Sequence, residues 1–188
     1  VIPIEGEVLQ DGAVVVKDGV IIDVLPAKEA KLKYTPAKVT ELIGKAIMPG
    51  FVNAHTHSPM VFLRGVSDDI MLHEWLSGTV WPLEGALADY DFCRDGALLA
   101  AAEMIRSGTT TANDMYFFPG AAVESWTEAG LRGTVGLICI EFPFPKYAMG
   151  PDEFISKGLA AMEKSKGNPL VTWNVAAHAP YTVSDSMA

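Results

Sequence analysis

Cysteine is scarce in this sequence. Cys93 and Cys139 are the only two in 188 residues, and they stand far apart. That spacing excludes a disulfide framework and a paired-cysteine zinc site. Two reduced thiols in a cytoplasmic protein are the expectation. Basic residues are also few: 14 Lys and Arg stand against 23 Asp and Glu, a formal net charge of −9. The densest basic group, Lys28, Lys31, Lys33 and Lys38, reads as solvated surface rather than a stripe. A protein that grips a phosphate backbone needs a basic face, so nucleic acid and anionic membrane are excluded as partners. No apolar run approaches the roughly 20 residues that a membrane-spanning helix needs. No secretory leader is visible, but the chain opens on Val1 rather than Met, so the native start is expected further upstream. Repeats and low-complexity tracts are lacking too.

What is present is an ordinary globular composition, 49 % hydrophobic and 20 % charged. The first 45 residues read as β structure. Residues 13–17 and 20–25 are β-branched runs around Asp18-Gly19, a hairpin signal. A polar connection over residues 26–36 has room for one helical turn, and residues 39–43 read as a further strand. From Phe51 the rhythm changes. Residues 51–54 form a short strand leading into His55 and His57, and a loop covers 58–72. Residues 72–76 read as helical, with Pro82 interrupting before Leu87. Asp91 is the expected cap of a helix over 92–107, whose apolar face carries Leu98, Ala101, Ala102 and Ile105.

Strands follow over 109–115, 131–140 and 170–177, separated by helices over 121–129 and 151–164. A helix start is expected at Ser184 or Asp185, running into Ser186-Met187-Ala188. Strands alternating with helices imply βαβ units and a parallel sheet. A closed (β/α)8 barrel needs eight strands and about 250 residues. The expected fold is therefore α/β: the first half of a (β/α)8 TIM-type barrel over residues 49–188, behind a small β domain over residues 1–48, in a chain that stops short of the whole barrel.

His55 and His57 carry the first chemical signal. Residues i and i+2 of a strand point to the same face, and the C-terminal end of a barrel strand opens on the site-bearing face. Two imidazoles there can share one metal ion. A bare His-x-His is common, and a pair of loop histidines in ordinary hydrogen bonds gives the same pattern. The preceding Met-Pro-Gly-Phe-Val-Asn-Ala supplies the strand context that favours the metal.

Met48-Pro49-Gly50-Phe51-Val52-Asn53-Ala54-His55-Thr56-His57 resembles the first barrel strand of the amidohydrolase superfamily. The small β domain in front is similar to part of that superfamily's composite β-sandwich. Trp81-Pro82-Leu83-Glu84 and His178-Ala179-Pro180-Tyr181-Thr182-Val183-Ser184 resemble its deaminase and chlorohydrolase branch, and most of all its 5′-methylthioadenosine/S-adenosylhomocysteine deaminases.

The resemblance implies a metal-dependent aminohydrolase that takes a small-molecule nucleoside and releases the inosine analogue and ammonia. It implies His55 and His57 as metal ligands, Glu84 on the ribose hydroxyls and His178 on the purine ring. A carboxylate can accept from both hydroxyls of a vicinal diol; read without the family, Glu84 would be a solvated helix residue. His178 could equally be a packed core histidine, and any imidazole near His55 and His57 could ligate. Two-metal members carry a bridging carboxylated lysine on strand four, and residues 170–177 contain no lysine. One Zn2+ per active site is the implied cofactor, with another divalent metal able to take its place. The further ligands and the catalytic acid–base groups are implied beyond Ala188, so no catalytic residue is assigned within the chain. The resemblance also allows a homo-oligomer.

Other residues have plainer readings. His73 is expected at the surface or in packing. Asp114 and Tyr116 would either orient the metal ligands or support the core. Met60, Phe62, Leu63 and Trp75 could line an apolar pocket for a thioether, though such residues are more often core. Asn53 is expected to fix a backbone turn. No arginine follows Arg132, and Lys146 is the only cation in the loop after the third barrel strand. Since arginine's fork suits a carboxylate, methylthioadenosine or adenosine is favoured over S-adenosylhomocysteine. Alternatives within the branch are a triazine chlorohydrolase or a deaminase of a purine base or pterin. A non-catalytic scaffold is the alternative from another class, and the intact histidine pair argues against it.

Overall fold

The computed structural model describes residues 1–185. The helix expected to run through Ser186-Met187-Ala188 lies outside the described residues. The chain divides into two compact units, Val1–Gly50 and Phe51–Ala188. Among the described residues no helix is long and apolar enough to cross a membrane.

In the first unit, β1 (Gly12–Lys17) and β2 (Val20–Pro26) pair antiparallel, with Lys17 opposite Val20. Asp18 and Gly19 both have positive φ, 50° and 78°, as a type I′ hairpin turn requires at its two central residues. The polar connection becomes α1 (Ala27–Lys33), longer than the single turn expected. Asp23 accepts from Lys33 Nζ and from the Tyr34 hydroxyl, each at 2.8 Å, tying the end of α1 to the hairpin. Residues 39–43 are not a strand. β-branched residues favour extended backbone, but a strand also needs a neighbour to take up its N–H and C=O groups. The sheet described in this unit has two strands only, β1 and β2. Val39 and Ile43 accordingly stay exposed.

In the second unit, β3 (Phe51–Thr56), β4 (Thr109–Asp114), β5 (Arg132–Cys139) and β6 (Val171–Ala177) form one parallel sheet. Their spatial order is their chain order. A doubly wound sheet reverses its strand order part-way across. This one does not reverse, which is the order of a barrel wall. Helices α4 (Tyr90–Arg106), α5 (Pro119–Ala129) and α6 (Pro151–Lys164) carry the crossovers. One buried cluster, built around Trp126, Leu131 and Val135, joins α4 and α5 to β4 and β5. A second, around Met115, Tyr116, Phe117 and Phe154, lies at the C-terminal ends of β4 and β5.

The segment between β3 and β4 differs from expectation in four respects. The loop expected over 58–72 opens instead with a 3-10 turn, Ser58–Leu63. Pro82 does not interrupt the helix. Instead α2 (Leu72–Trp75), a π-helical turn (Leu76–Val80) and α3 (Trp81–Leu87) follow without a break. Pro82 sits in the first turn of α3, where its missing N–H costs little, and the wide turn ahead accommodates its ring. The cap of α4 is Asp89 rather than Asp91: its Oδ1 accepts from the Phe92 amide at 2.9 Å. The buried stripe of α4 is Cys93, Gly96, Ala97, Ala100, Ala101 and Met104. Of the four apolar positions expected, only Ala101 is fully buried, and Ile105 is exposed. The stripe selects small side chains because α4 must lie close to the 3-10 turn Ser58–Leu63. A Cβ on Gly96 would stand 2.7 Å from the Pro59 carbonyl oxygen and 2.9 Å from its Cα.

That contact predicts a reversal of helix propensity. Alanine is a better helix former than glycine by about 1 kcal/mol. Gly96→Ala nevertheless lowers stability, by about 1–3 kcal/mol, because backbone at Pro59 must move. Urea unfolding midpoints of the two proteins measure it, and a stabilised variant would show that the packing is loose.

Candidate active site

The site begins with an irregularity in β3. Asn53 pairs with Ala112 and Thr56 pairs with Asp114, with a shift of register between them. Asn53 Nδ2 lies 3.7 Å from Met104 Sδ of α4, on the helix-covered face. Ala112 and Asp114 are both buried there. Regular alternation would put residues 53 and 56 on opposite faces; the register shift absorbs one residue and keeps both on one face. His55, next to Thr56, is thereby turned to the face away from the helices. His57 follows just past the strand end, and the two imidazole centroids lie 4.9 Å apart, edge to face. Asn53 does hold local backbone, accepting a long 3.4 Å hydrogen bond from the His55 amide.

His57 is fixed by β4. Its Nδ1 is 2.5 Å from the Met115 carbonyl oxygen. A carbonyl can only accept, so Nδ1 carries the proton in this bond and Nε2 is the nitrogen left outside it. Histidines that ligate metals are typically anchored in this way, and the donor chemistry of the pair fits a divalent cation such as zinc. Among the described residues no group of three or more His, Cys, Asp and Glu is placed to hold a metal. The next residue, Ser58, donates its amide to Asp114 Oδ1 at 2.6 Å. Burial pushes the Asp114 carboxyl up to about 6, against the opposing pull of the Ser58 hydrogen bonds.

His178 sits just past β6, where its amide continues the ladder to the Cys139 carbonyl at 3.2 Å. Its ring centroid is 6.1 Å from that of His57 and 6.2 Å from that of Tyr181. Nδ1 is 2.8 Å from Thr182 Oγ1, and that hydroxyl donates to the Ala179 carbonyl. The hydroxyl has one proton, so it accepts from Nδ1–H, and Nε2 is again the open nitrogen. Burial pushes the pKa of His178 down, and His57 and His55 push it the same way.

Glu84 lies on α3 and is only 7 % exposed, so it is not the solvated carboxylate that its residue type alone suggests. Its Oε1 accepts from the Tyr116 hydroxyl at 2.8 Å. Burial pushes its carboxyl up to about 7, held back by that hydrogen bond. The structure thus gathers His55, His57 and His178 at the strand ends and buries Glu84 against the residue that follows Met115. The Tyr116 hydroxyl goes to Glu84, while its ring stands beside His57, centroid to centroid 6.3 Å. The Met115 carbonyl and the Ser58 amide were not legible in the sequence, because main-chain groups carry no residue signature.

The expected apolar pocket is only partly assembled. Met60, Leu63 and Trp75 border a cleft of about 430 Å3 that also meets Arg64, Asp68 and Asp69. Phe62 instead packs on Phe92, with ring centroids 5.4 Å apart. His73 is exposed on α2. Lys146 donates to the Ala86 carbonyl, which ties the loop after β5 to the end of α3.

Fold and site together define a barrel protein with its polar centre at the C-terminal ends of the strands. Residues 46–188 match the amidohydrolase family, and the chain belongs to that family. It is similar to the 5-methylthioadenosine/S-adenosylhomocysteine deaminase of Saccharophagus degradans, 38 % identical over 180 residues, covering 96 % of this chain and 40 % of the relative. The enzyme of the same name from Thermodesulfovibrio yellowstonii is 41 % identical over 180 residues, covering 95 % of this chain and 41 % of the relative. Among solved structures, an adenosine deaminase from Xanthomonas campestris with bound zinc superposes with a TM-score of 0.84 at 39 % identity. That match covers 95 % of this chain and 40 % of the other. The chain therefore spans about 40 % of the length of the relatives it matches.

The buried Glu84 predicts a pH-dependent stability. Its folded pKa lies above the ordinary value of 4.5, so the folded state holds the proton more tightly. The resulting stabilisation is full below about 4.5 and is lost as pH rises through about 7. Between pH 4.5 and 8 the protein should lose ~3 kcal/mol relative to Glu84→Gln. Denaturant unfolding of both proteins across that range measures the difference, and parallel curves would contradict the burial.

Proposed function

We propose that this chain forms the metal-binding part of a zinc-dependent hydrolytic deaminase of adenosine-type nucleosides. The favoured substrate is 5′-methylthioadenosine, and the products are the inosine analogue and ammonia. The observation that carries the reading is the meeting of His55, His57 and His178 at the ends of β3 and β6, with centroid separations of 4.9 and 6.1 Å. The relatives' names supply the direction: two are 5-methylthioadenosine/S-adenosylhomocysteine deaminases and one is a zinc-bound adenosine deaminase. In this reading residues 1–48 contribute to a composite β-sandwich and residues 49–188 are the first four β/α units of the barrel.

His55 and His57 would hold the metal, His57 through Nε2 because its Nδ1 proton is engaged by the Met115 carbonyl. Zinc held there would lower the pKa of a water toward neutrality, the chemistry that hydrolytic attack needs. Glu84 accepts from the ribose hydroxyls. His178, kept neutral by burial and by the neighbouring imidazoles, offers Nε2 as an acceptor for an N–H of the purine. The groups that move protons to the leaving amine are assigned downstream of Ala188. The absence of arginine after Arg132 favours methylthioadenosine or adenosine over S-adenosylhomocysteine. A cytoplasmic setting goes with this reading, supported by two buried free thiols, Cys93 and Cys139.

Turnover of methylthioadenosine by the full-length, zinc-loaded protein tests it, followed by the adenine-to-hypoxanthine absorbance change. Rapid turnover with one zinc per chain is the expected result. Glu84→Ala should cut kcat/KM for the nucleoside by ~100-fold, the scale of losing hydrogen bonds to a charged group, and spare a bare-ring substrate. Zinc bound without nucleoside turnover would redirect the search to purine bases, pterins and triazines. Protein that purifies without stoichiometric zinc would point to a scaffold.

A further inference from the structure

We propose that Tyr116 is the positioning residue for Glu84: its hydroxyl sets the carboxylate in place for the ribose and so governs KM rather than kcat. The inference rests on the reading of Glu84 as the ribose contact and adds a residue to it.

The argument starts from the end of β4. Three consecutive residues each hold a different part of the site. Asp114 Oδ1 accepts from the Ser58 amide at 2.6 Å, the Met115 carbonyl accepts from His57 Nδ1, and the Tyr116 hydroxyl donates to Glu84 Oε1 at 2.8 Å. Tyr116 is buried in the cluster that contains Cys93, Met115 and Phe117. Its ring centroid lies 5.0 Å from that of Phe117, so its hydroxyl is presented from a packed element. Glu84, by contrast, rides on the seven-residue α3 behind a π-helical turn. A glutamate has three rotatable side-chain bonds, and ordering them at the moment of binding would weaken affinity. The Tyr116 hydroxyl orders them beforehand. It has one proton, which Oε1 takes, and Oε2 remains for a substrate hydroxyl.

The same hydrogen bond acts on charge. An ionised carboxylate is the better acceptor for the two ribose hydroxyls. Burial pushes Glu84 up to about 7, and the Tyr116 hydroxyl is what holds it back. Cys93 of α4 also faces Glu84, Asp114 acts on both Cys93 and Tyr116, and the His57 ring stands 6.3 Å from that of Tyr116. Burial pushes the Cys93 thiol and the Tyr116 phenol up, so both stay neutral and add no charge beside Glu84. Loss of the Tyr116 hydroxyl therefore leaves Glu84 more often protonated near neutral pH.

The test uses the full-length, metal-loaded protein, with methylthioadenosine as substrate and KM and kcat measured from pH 6 to 9. In the wild type KM should fall as pH rises through about 7. Tyr116→Phe should raise KM about tenfold at neutral pH with kcat within a factor of two to three, and shift the fall in KM to higher pH. Adding Tyr116→Phe to Glu84→Gln should cost nothing further, because the two act as one unit. If Tyr116→Phe does not fold, Tyr116→Met, which fills the space without a donor, must show the same split. Unchanged KM, a loss confined to kcat, or additive losses in the double variant would overturn the proposal and leave the deaminase reading standing. Wild-type protein that neither binds nor turns over the nucleoside overturns both.

Discussion

Polar groups buried at the end of β4 must find partners, and the site is built from the partners they find. A buried donor or acceptor left alone costs roughly 1–3 kcal/mol. The Asp114 carboxylate meets that demand with the Ser58 amide, the Met115 carbonyl with the His57 ring, and the Tyr116 phenol with the Glu84 carboxylate. Each bond reaches a segment distant in sequence. Each also fixes something the proposed chemistry uses: the turn after the histidines, the tautomer of His57, and the rotamer of Glu84. Strand β4 is thus the reference against which β3 and α3 are set.

This arrangement works against stability at two points. Glu84 and Asp114 are carboxylates in a poorly solvated setting, and burial pushes both above the ordinary range. Proteins keep such groups mainly where function needs them. The compensation lies in ordinary packing nearby, in the Trp126 cluster beneath the sheet and the aromatic cluster at its C-terminal end. The small-residue stripe of α4 belongs to the same logic. Gly96 lets the helix touch the backbone of Pro59, two residues after His57, so the turn that follows the histidines is braced from outside as well as from β4.

The α/β alternation, the parallel sheet and the order of strands and helices from residue 51 onward were legible because strand-like and helix-like runs alternate along the chain, each bounded by local turn and cap residues. Residues 39–43 have β-branched composition but stay outside any described sheet. Composition expresses a preference for extended backbone, while pairing depends on a neighbour supplied by the rest of the fold. The buried stripe of α4 escapes the periodicity for a related reason. Periodicity finds large apolar side chains, whereas the face that packs closest is made of small ones.

The sequence by itself determined the family through residues 46–188, the strand order implied by strictly alternating elements, and the identity of the groups offered to the site: two histidines on one strand end, a third on another, and a carboxylate. These are consequences of local pattern and side-chain chemistry. Only the tertiary structure decided which nitrogen of His57 and of His178 stays open, which way His55 faces, and that Glu84 is buried against Tyr116. Those outcomes depend on a register shift, on main-chain carbonyls and on contacts between segments up to 58 residues apart. None of these has a signature in residue type or spacing, because they arise only when separate strands and helices close on one another.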